Sequence, residues 1–174
     1  MNITAAKLRA DGFPMLASRN EDKKIPPGHT KARKYDNSTD YNIGTGLAAR
    51  TGPDTKMICL DLDYIEKLPS KLKEITEKHP TKASWCDANG TTGEDVLAGN
   101  ARGKLFYQVN GHVMPTAASP KILRGSGVEI LYGASRPAQI VGYRSDVNAW
   151  YQLSDSPHHV IRMGGSINSL NCRQ

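Results

Sequence analysis

A chain of 174 residues can bury one respectable core, and nothing in its length demands a second domain. Its 23 Lys and Arg against 17 Asp and Glu leave a formal charge of +6, an excess that favours a polyanionic partner through phosphate contacts and counterion release. Three scattered cysteines, Cys59, Cys86 and Cys172, exclude a disulfide framework or a zinc knuckle, and no apolar run is long enough to span a bilayer or to form the centre of a signal peptide. The expectation is one soluble, cytoplasmic domain over 1–174, with no membrane partner.

In chain order, Ile3, Ala6 and Leu8 among polar residues predict a first helix ending at Gly12, followed by a strand over 13–17. The polar 18–40 stretch, with Pro26-Pro27-Gly28 and the basic Lys31, Arg33 and Lys34, reads as a long loop. Strands follow over 42–49 and 56–63, and the turn residues Thr51-Gly52-Pro53-Asp54 predict that they form a hairpin. Ile65, Leu68, Leu72 and Ile75 stand at helical spacing over 64–79; Pro69 delays the start and Pro80 stops the helix. Then come a short strand over 83–86, a Gly-containing loop over 87–103, and strands over 104–109, 127–132, 138–143 and 149–153. Helices early and strands late predict an α+β fold, a mainly antiparallel sheet with flanking helices.

The run Met57-Ile58-Cys59-Leu60-Asp61-Leu62-Asp63 ends in two carboxylates one residue apart, which strand geometry sets on the same face. Two readings stand for such a pair: a strand end open to solvent, which is the commoner context, or hard oxygen ligands for Mg2+ or Mn2+. Glu129, in the otherwise apolar Gly127-Val128-Glu129-Ile130-Leu131, adds a third carboxylate and tilts the balance towards metal. Three carboxylates from two strands suit a two-metal clamp for phosphoryl transfer. Cys59, inside an apolar run, reads as a core thiol, Trp85 and Trp150 as core aromatics, and the adjacent His158 and His159 as surface residues. Lys31, Arg33 and Lys34 are candidates for following a nucleic-acid backbone, though a solvated charged loop is the commoner use of such a run. Glycines at 90, 93, 99 and 103 could cradle phosphates, but their spacing matches neither the P-loop nor the dinucleotide fingerprint.

The order of segments resembles the catalytic domain of bifunctional DNA primase/polymerases of the archaeo-eukaryotic primase superfamily, over about residues 5–153. The resemblance is carried by Gly12-Phe13-Pro14-Met15, Lys23-Lys24-Ile25-Pro26-Pro27, Asn42-Ile43-Gly44-Thr45-Gly46, Leu60-Asp61-Leu62-Asp63 and Gly127-Val128-Glu129-Ile130. It implies a core of modified RNA-recognition type, in which Asp61, Asp63 and Glu129 hold Mg2+ or Mn2+ for template-directed nucleotidyl transfer. Single-stranded DNA template, primer and nucleoside triphosphates are the implied partners, often with a helicase on the same or another chain, and a virus, phage or plasmid is the implied source. Arg102-Gly103-Lys104-Leu105-Phe106-Tyr107 stands where the family has a glycine-rich turn, a histidine and an aromatic strand; the histidine is missing, so Arg102 or Lys104 is expected to meet the triphosphate. Gln139, in the strand after the third carboxylate, is the remaining nucleotide-binding candidate, and the family's Pro-Pro-Ser is replaced by Gly142-Tyr143-Arg144. The alternative is a non-catalytic nucleic-acid-binding replication-initiator domain. A nicking nuclease lacks support, since neither a histidine-rich metal motif nor a tyrosine nucleophile is evident.

Overall fold

The strand that carries the acidic motif alternates between two cores. Met57 and Cys59 pack with Phe13, Leu16, Leu47, Phe106, Leu131 and Ile140, whereas Ile58 and Leu62 pack with Ala83, Val96, Leu105, Tyr107 and Val128. A sheet buried on both faces at this strand is what an almost continuous apolar run dictates. The computed structural model describes residues 5–14, 16–19, 46–88, 90–111, 127–132 and 137–163.

The elements run α1 (Ala5–Ala10), β1 (Leu16–Arg19), β2 (Gly46–Ala49), β3 (Met57–Leu62), a 3-10 turn (Ile65–Lys67), α2 (Ser70–Lys78), β4 (Lys82–Cys86), α3 (Gly93–Leu97), β5 (Gly103–Gly111), β6 (Val128–Leu131), β7 (Ala138–Arg144), β8 (Ala149–Leu153) and β9 (His159–Met163). The nine described strands form one curled sheet in the order β1-β2-β7-β8-β4-β5-β3-β6, with β9 also pairing β5. Among these strands every pairing is antiparallel except β5 with β9. The α+β class with a mainly antiparallel sheet is therefore as expected, and none of the described helices is long and apolar enough to cross a membrane.

Several local expectations need correction. The predicted hairpin does not form: β2 pairs with β1 and β7, β3 pairs with β5 and β6, and only an isolated bridge, Gly52 to Met57, closes the turn between them. Turn chemistry reversed the chain there, but burial on both faces sent the two strands to different neighbours. The 87–103 segment holds a short helix, α3, nucleated by a capping box in which the Thr92 side chain accepts from Asp95 N–H and the Asp95 carboxylate accepts from Thr92 N–H. Trp150 is not core; it is 49% exposed and leans on Tyr143 at 5.2 Å. His158 is not at the surface either: it is half-buried, edge-on to Phe13 at 4.7 Å, with Nδ1 3.3 Å from the Phe106 carbonyl oxygen. His159 opens β9, its N–H donating to Thr81 Oγ1 at 2.8 Å. Pro69 does delay the helix, which begins at Ser70.

Where β2 meets β7 the two backbones nearly touch. Gly142, at φ +134°, has no room for a side chain, because a Cβ there would lie 2.5 Å from Gly46 Cα. Gly142→Ala is expected to lower stability by about 2–3 kcal/mol in urea unfolding. The comparison variant Gly90→Ala, with φ +71° but nothing within 4 Å of the added methyl, should lose only about 1 kcal/mol.

Candidate metal centre

The alternation that buries Met57 and Cys59 brings Asp61 to the same face, two residues nearer the strand end. Cross-strand register then sets its neighbours: Asp61 lies opposite Lys104 in β5 and opposite Glu129 in β6. Side chains directly opposite one another share a face, so carboxylate, ammonium and carboxylate stand in a row across three strands. Asp63 lies one further period along, just beyond β3. Its N–H donates to the Gly127 carbonyl at 2.9 Å, and the N–H of Tyr64 donates to the same oxygen at 3.2 Å. One carbonyl at the head of β6 thus fastens the segment carrying Asp63 to the strand carrying Glu129.

The outcome is a triad whose ligand atoms, one each from Asp61, Asp63 and Glu129, lie within 4.8 Å of one another. Opposed ligands on a magnesium ion at about 2.1 Å would be about 4.2 Å apart, so the triad fits such an ion with small side-chain adjustments. All three donors are hard oxygens, as magnesium and manganese prefer. Asp63 is exposed and the other two are half-buried, so the cluster opens towards solvent on the Asp63 side.

Lys104 Nζ donates to Asp61 Oδ1 at 2.7 Å, with both side chains only 15% exposed. Burial alone pulls the ammonium down, but the Asp61 carboxylate, with Tyr151 and Cys59 adding to it, outweighs burial and holds Lys104 above the ordinary lysine value. Beneath the triad, burial pushes the Cys59 thiol well up, Asp61 pushes it further and Glu129 adds to this, against an opposing pull from Lys104. Cys59 is therefore a protonated core residue, as its place in the apolar run suggests.

The other expected nucleotide-binding residues are placed differently. Arg102 is exposed, immediately before Gly103, which pairs with Leu62 of β3, and its guanidinium lies 5.8 Å from the Tyr64 ring. Gln139 is 4% exposed on β7, separated from β3 in the sheet by β8, β4 and β5, and its amide donates to the Val141 carbonyl at 2.6 Å. Lys31, Arg33 and Lys34 lie outside the described residues. Sequence reasoning missed the Gly127 carbonyl that fastens Asp63 to β6, because a positive-φ glycine acting through its carbonyl leaves no signal in the sequence. No family model, curated protein or solved structure matches the chain.

Two outcomes follow. Gly127 has φ +76°, and a Cβ there would lie 2.2 Å from the Tyr64 carbonyl oxygen, so Gly127→Ala should shift Asp63 away from Glu129 and abolish Mn2+ stabilisation in a thermal-shift titration. The second outcome concerns alkali. Because the Cys59 thiol is raised in the folded state, its contribution to stability is complete below the ordinary thiol value of 9.0 and is lost as pH climbs from there towards the folded value. Urea unfolding between pH 8 and about 11 should therefore show falling stability, and Cys59→Ala should flatten that slope while lowering the plateau.

Proposed function

We propose that this chain is a metal-dependent nucleotidyltransferase of the primase/polymerase type, acting on a DNA template. The observation that carries the reading is the meeting of Asp61, Asp63 and Glu129 on one sheet face within 4.8 Å, at the three positions the family resemblance assigns to metal ligands. The mainly antiparallel curled sheet is compatible with a modified RNA-recognition core, and the +6 charge with a polyanionic substrate.

Of the three carboxylates at the site, Asp61 is paired with Lys104, and a cluster of hard oxygen donors of this kind suits a divalent cation. Asp61 and Glu129, locked in register, would hold the inner position, and Asp63, exposed and tethered through Gly127, would complete the set. Bound magnesium or manganese supplies polarisation of phosphate oxygens and stabilises the charge of the entering hydroxyl. Lys104 keeps its proton well beyond neutral pH and so holds Asp61 in place as a fixed acceptor rather than exchanging protons during turnover. In the reaction the primer 3′-hydroxyl gives up its proton to water, its oxygen forms a bond to the α-phosphorus, the bond from that phosphorus to the bridging oxygen breaks, and pyrophosphate leaves with the electron pair.

The second reading is a non-catalytic replication-initiator domain, and one observation favours it: Lys104, beside the place of the family histidine, already neutralises part of the triad without any metal.

Incorporation of labelled nucleotides on single-stranded DNA, with and without primer, in Mg2+ or Mn2+, separates the two. Metal-dependent products should form with the wild type and fall at least about a hundredfold in Asp61→Asn/Asp63→Asn. Absence of products, with equal template binding by both proteins, would select the initiator reading instead.

A further inference from the structure

Two imidazoles from distant parts of the chain meet where α2 ends. His79 caps the C-terminus of α2 and His159 opens β9, and their ring centroids lie 4.7 Å apart with the planes tilted by 41°. Both backbones are fixed. The His79 N–H donates to the Ile75 carbonyl at 3.0 Å, and the His79 carbonyl accepts from the Tyr107 hydroxyl at 3.4 Å. His159 stands opposite Tyr107 in the β5–β9 ladder, its N–H donates to Thr81 Oγ1 at 2.8 Å, and the Tyr107 ring meets its imidazole edge-on at 6.2 Å. Among the described residues no hydrogen bond or ion pair engages a nitrogen of either ring. His79 is exposed and His159 half-buried, so the pair is open to solvent. The adjacent His158 takes no part, because it packs on Phe13.

Imidazole nitrogen is a ligand for nickel, copper and zinc rather than for the magnesium or manganese that carboxylates prefer. Two imidazoles on one such ion, with metal–nitrogen bonds of about 2.0–2.1 Å and an angle between cis and tetrahedral, have ring centroids about 4.5–5.2 Å apart. The observed 4.7 Å falls within that range and nearer its cis end. His79 also stands at the C-terminus of α2, the negative end of the helix dipole, where a cation is favoured. Because the helix end and the ladder already hold both backbones, only side-chain freedom is lost when an ion is gripped. We propose that His79 and His159 form a second metal site, a two-imidazole clasp for a divalent ion of the nickel, copper or zinc class, that ties the end of α2 to β9. Water fills the remaining coordination positions. The clasp differs in donor chemistry from the acidic triad and does not depend on the nucleotidyltransferase reading.

The test is calorimetric titration of the full chain with Ni2+ in an excess of Mg2+, which occupies sites built of hard oxygens. His79→Ala and His159→Ala should each weaken Ni2+ binding at least about tenfold, since removing a ligand costs no less than removing a group that orients one, typically about 10–100-fold. Asp61→Asn/Asp63→Asn should bind Ni2+ like the wild type. In thermal unfolding, Ni2+ should raise the Tm of the wild type and leave that of both histidine variants unmoved. Wild-type affinity in His79→Ala/His159→Ala overturns the proposal, as does a wild type that takes up no Ni2+. Binding at two separate sites, one lost in each single variant with the other unchanged in affinity, would show imidazoles acting alone and overturn the clasp. Loss of Ni2+ binding in Asp61→Asn/Asp63→Asn would assign the ion to the triad and overturn it equally.

Discussion

Everything at the candidate centre depends on holding like charges together. Asp61 and Glu129 are opposed across a β-ladder, and Asp63 is drawn in by the Gly127 carbonyl. Two carboxylates at about 4–5 Å repel by about 3–4 kcal/mol at an effective dielectric of about 20, with less for the exposed Asp63. The backbone ladder imposes that proximity regardless of charge, and Lys104, opposite Asp61 on the other side of β3, offsets part of the cost. A cationic neighbour on one flank and an anionic one on the other make Asp61 the pivot of the arrangement. Its position follows from register alone, without any loop that must be ordered.

The same strand serves packing and chemistry within a few residues. Met57 and Cys59 are fully buried, whereas Asp61 is half-buried, so one face of β3 passes from core to site in a single side-chain period. The core therefore sets the angle at which Asp61 is presented. Phe106 and Leu131, opposite Cys59, support that face from both neighbouring strands. Changes at these apolar positions would be felt at the carboxylates by displacement of the strand rather than by any direct contact.

Much of this was legible in the sequence. Period two put Asp61 and Asp63 on one side, and the branched residues around Glu129 marked another strand, so the triad could be named before its members were known to meet. What could not be read was which strands pair. The Thr51-Gly52-Pro53-Asp54 turn argued for a hairpin, yet β3 found its partners in β5 and β6, many residues downstream. Local turn preferences act over four residues, whereas pairing is decided by which apolar faces fit, and that information is spread along the chain. Trp150 and His158 were assigned to the wrong environments for a related reason: which face of the interior strand β8 stays open to solvent and the approach to β9 are products of topology, and neither residue's immediate neighbours reveal it. α3 was within reach, since Thr92 and Asp95 form a recognisable start signal, but only five residues follow it and a glycine opens them.

The position of β6 has a thermodynamic corollary. It is four residues long and ends the strand order, joined to the sheet through β3 alone among the described strands. Such a margin is the part of a sheet that detaches at the lowest free energy. Glu129 sits on it, and so does the carbonyl of Gly127 that tethers Asp63, so an ion gripped by the triad would also rivet the margin to the body of the sheet. By reciprocity, whatever peels β6 away must weaken the ion's hold by the same factor, and whatever presses it home must tighten it. Occupancy of the proposed metal centre and the integrity of this margin of the sheet would thus be a single equilibrium seen from two ends.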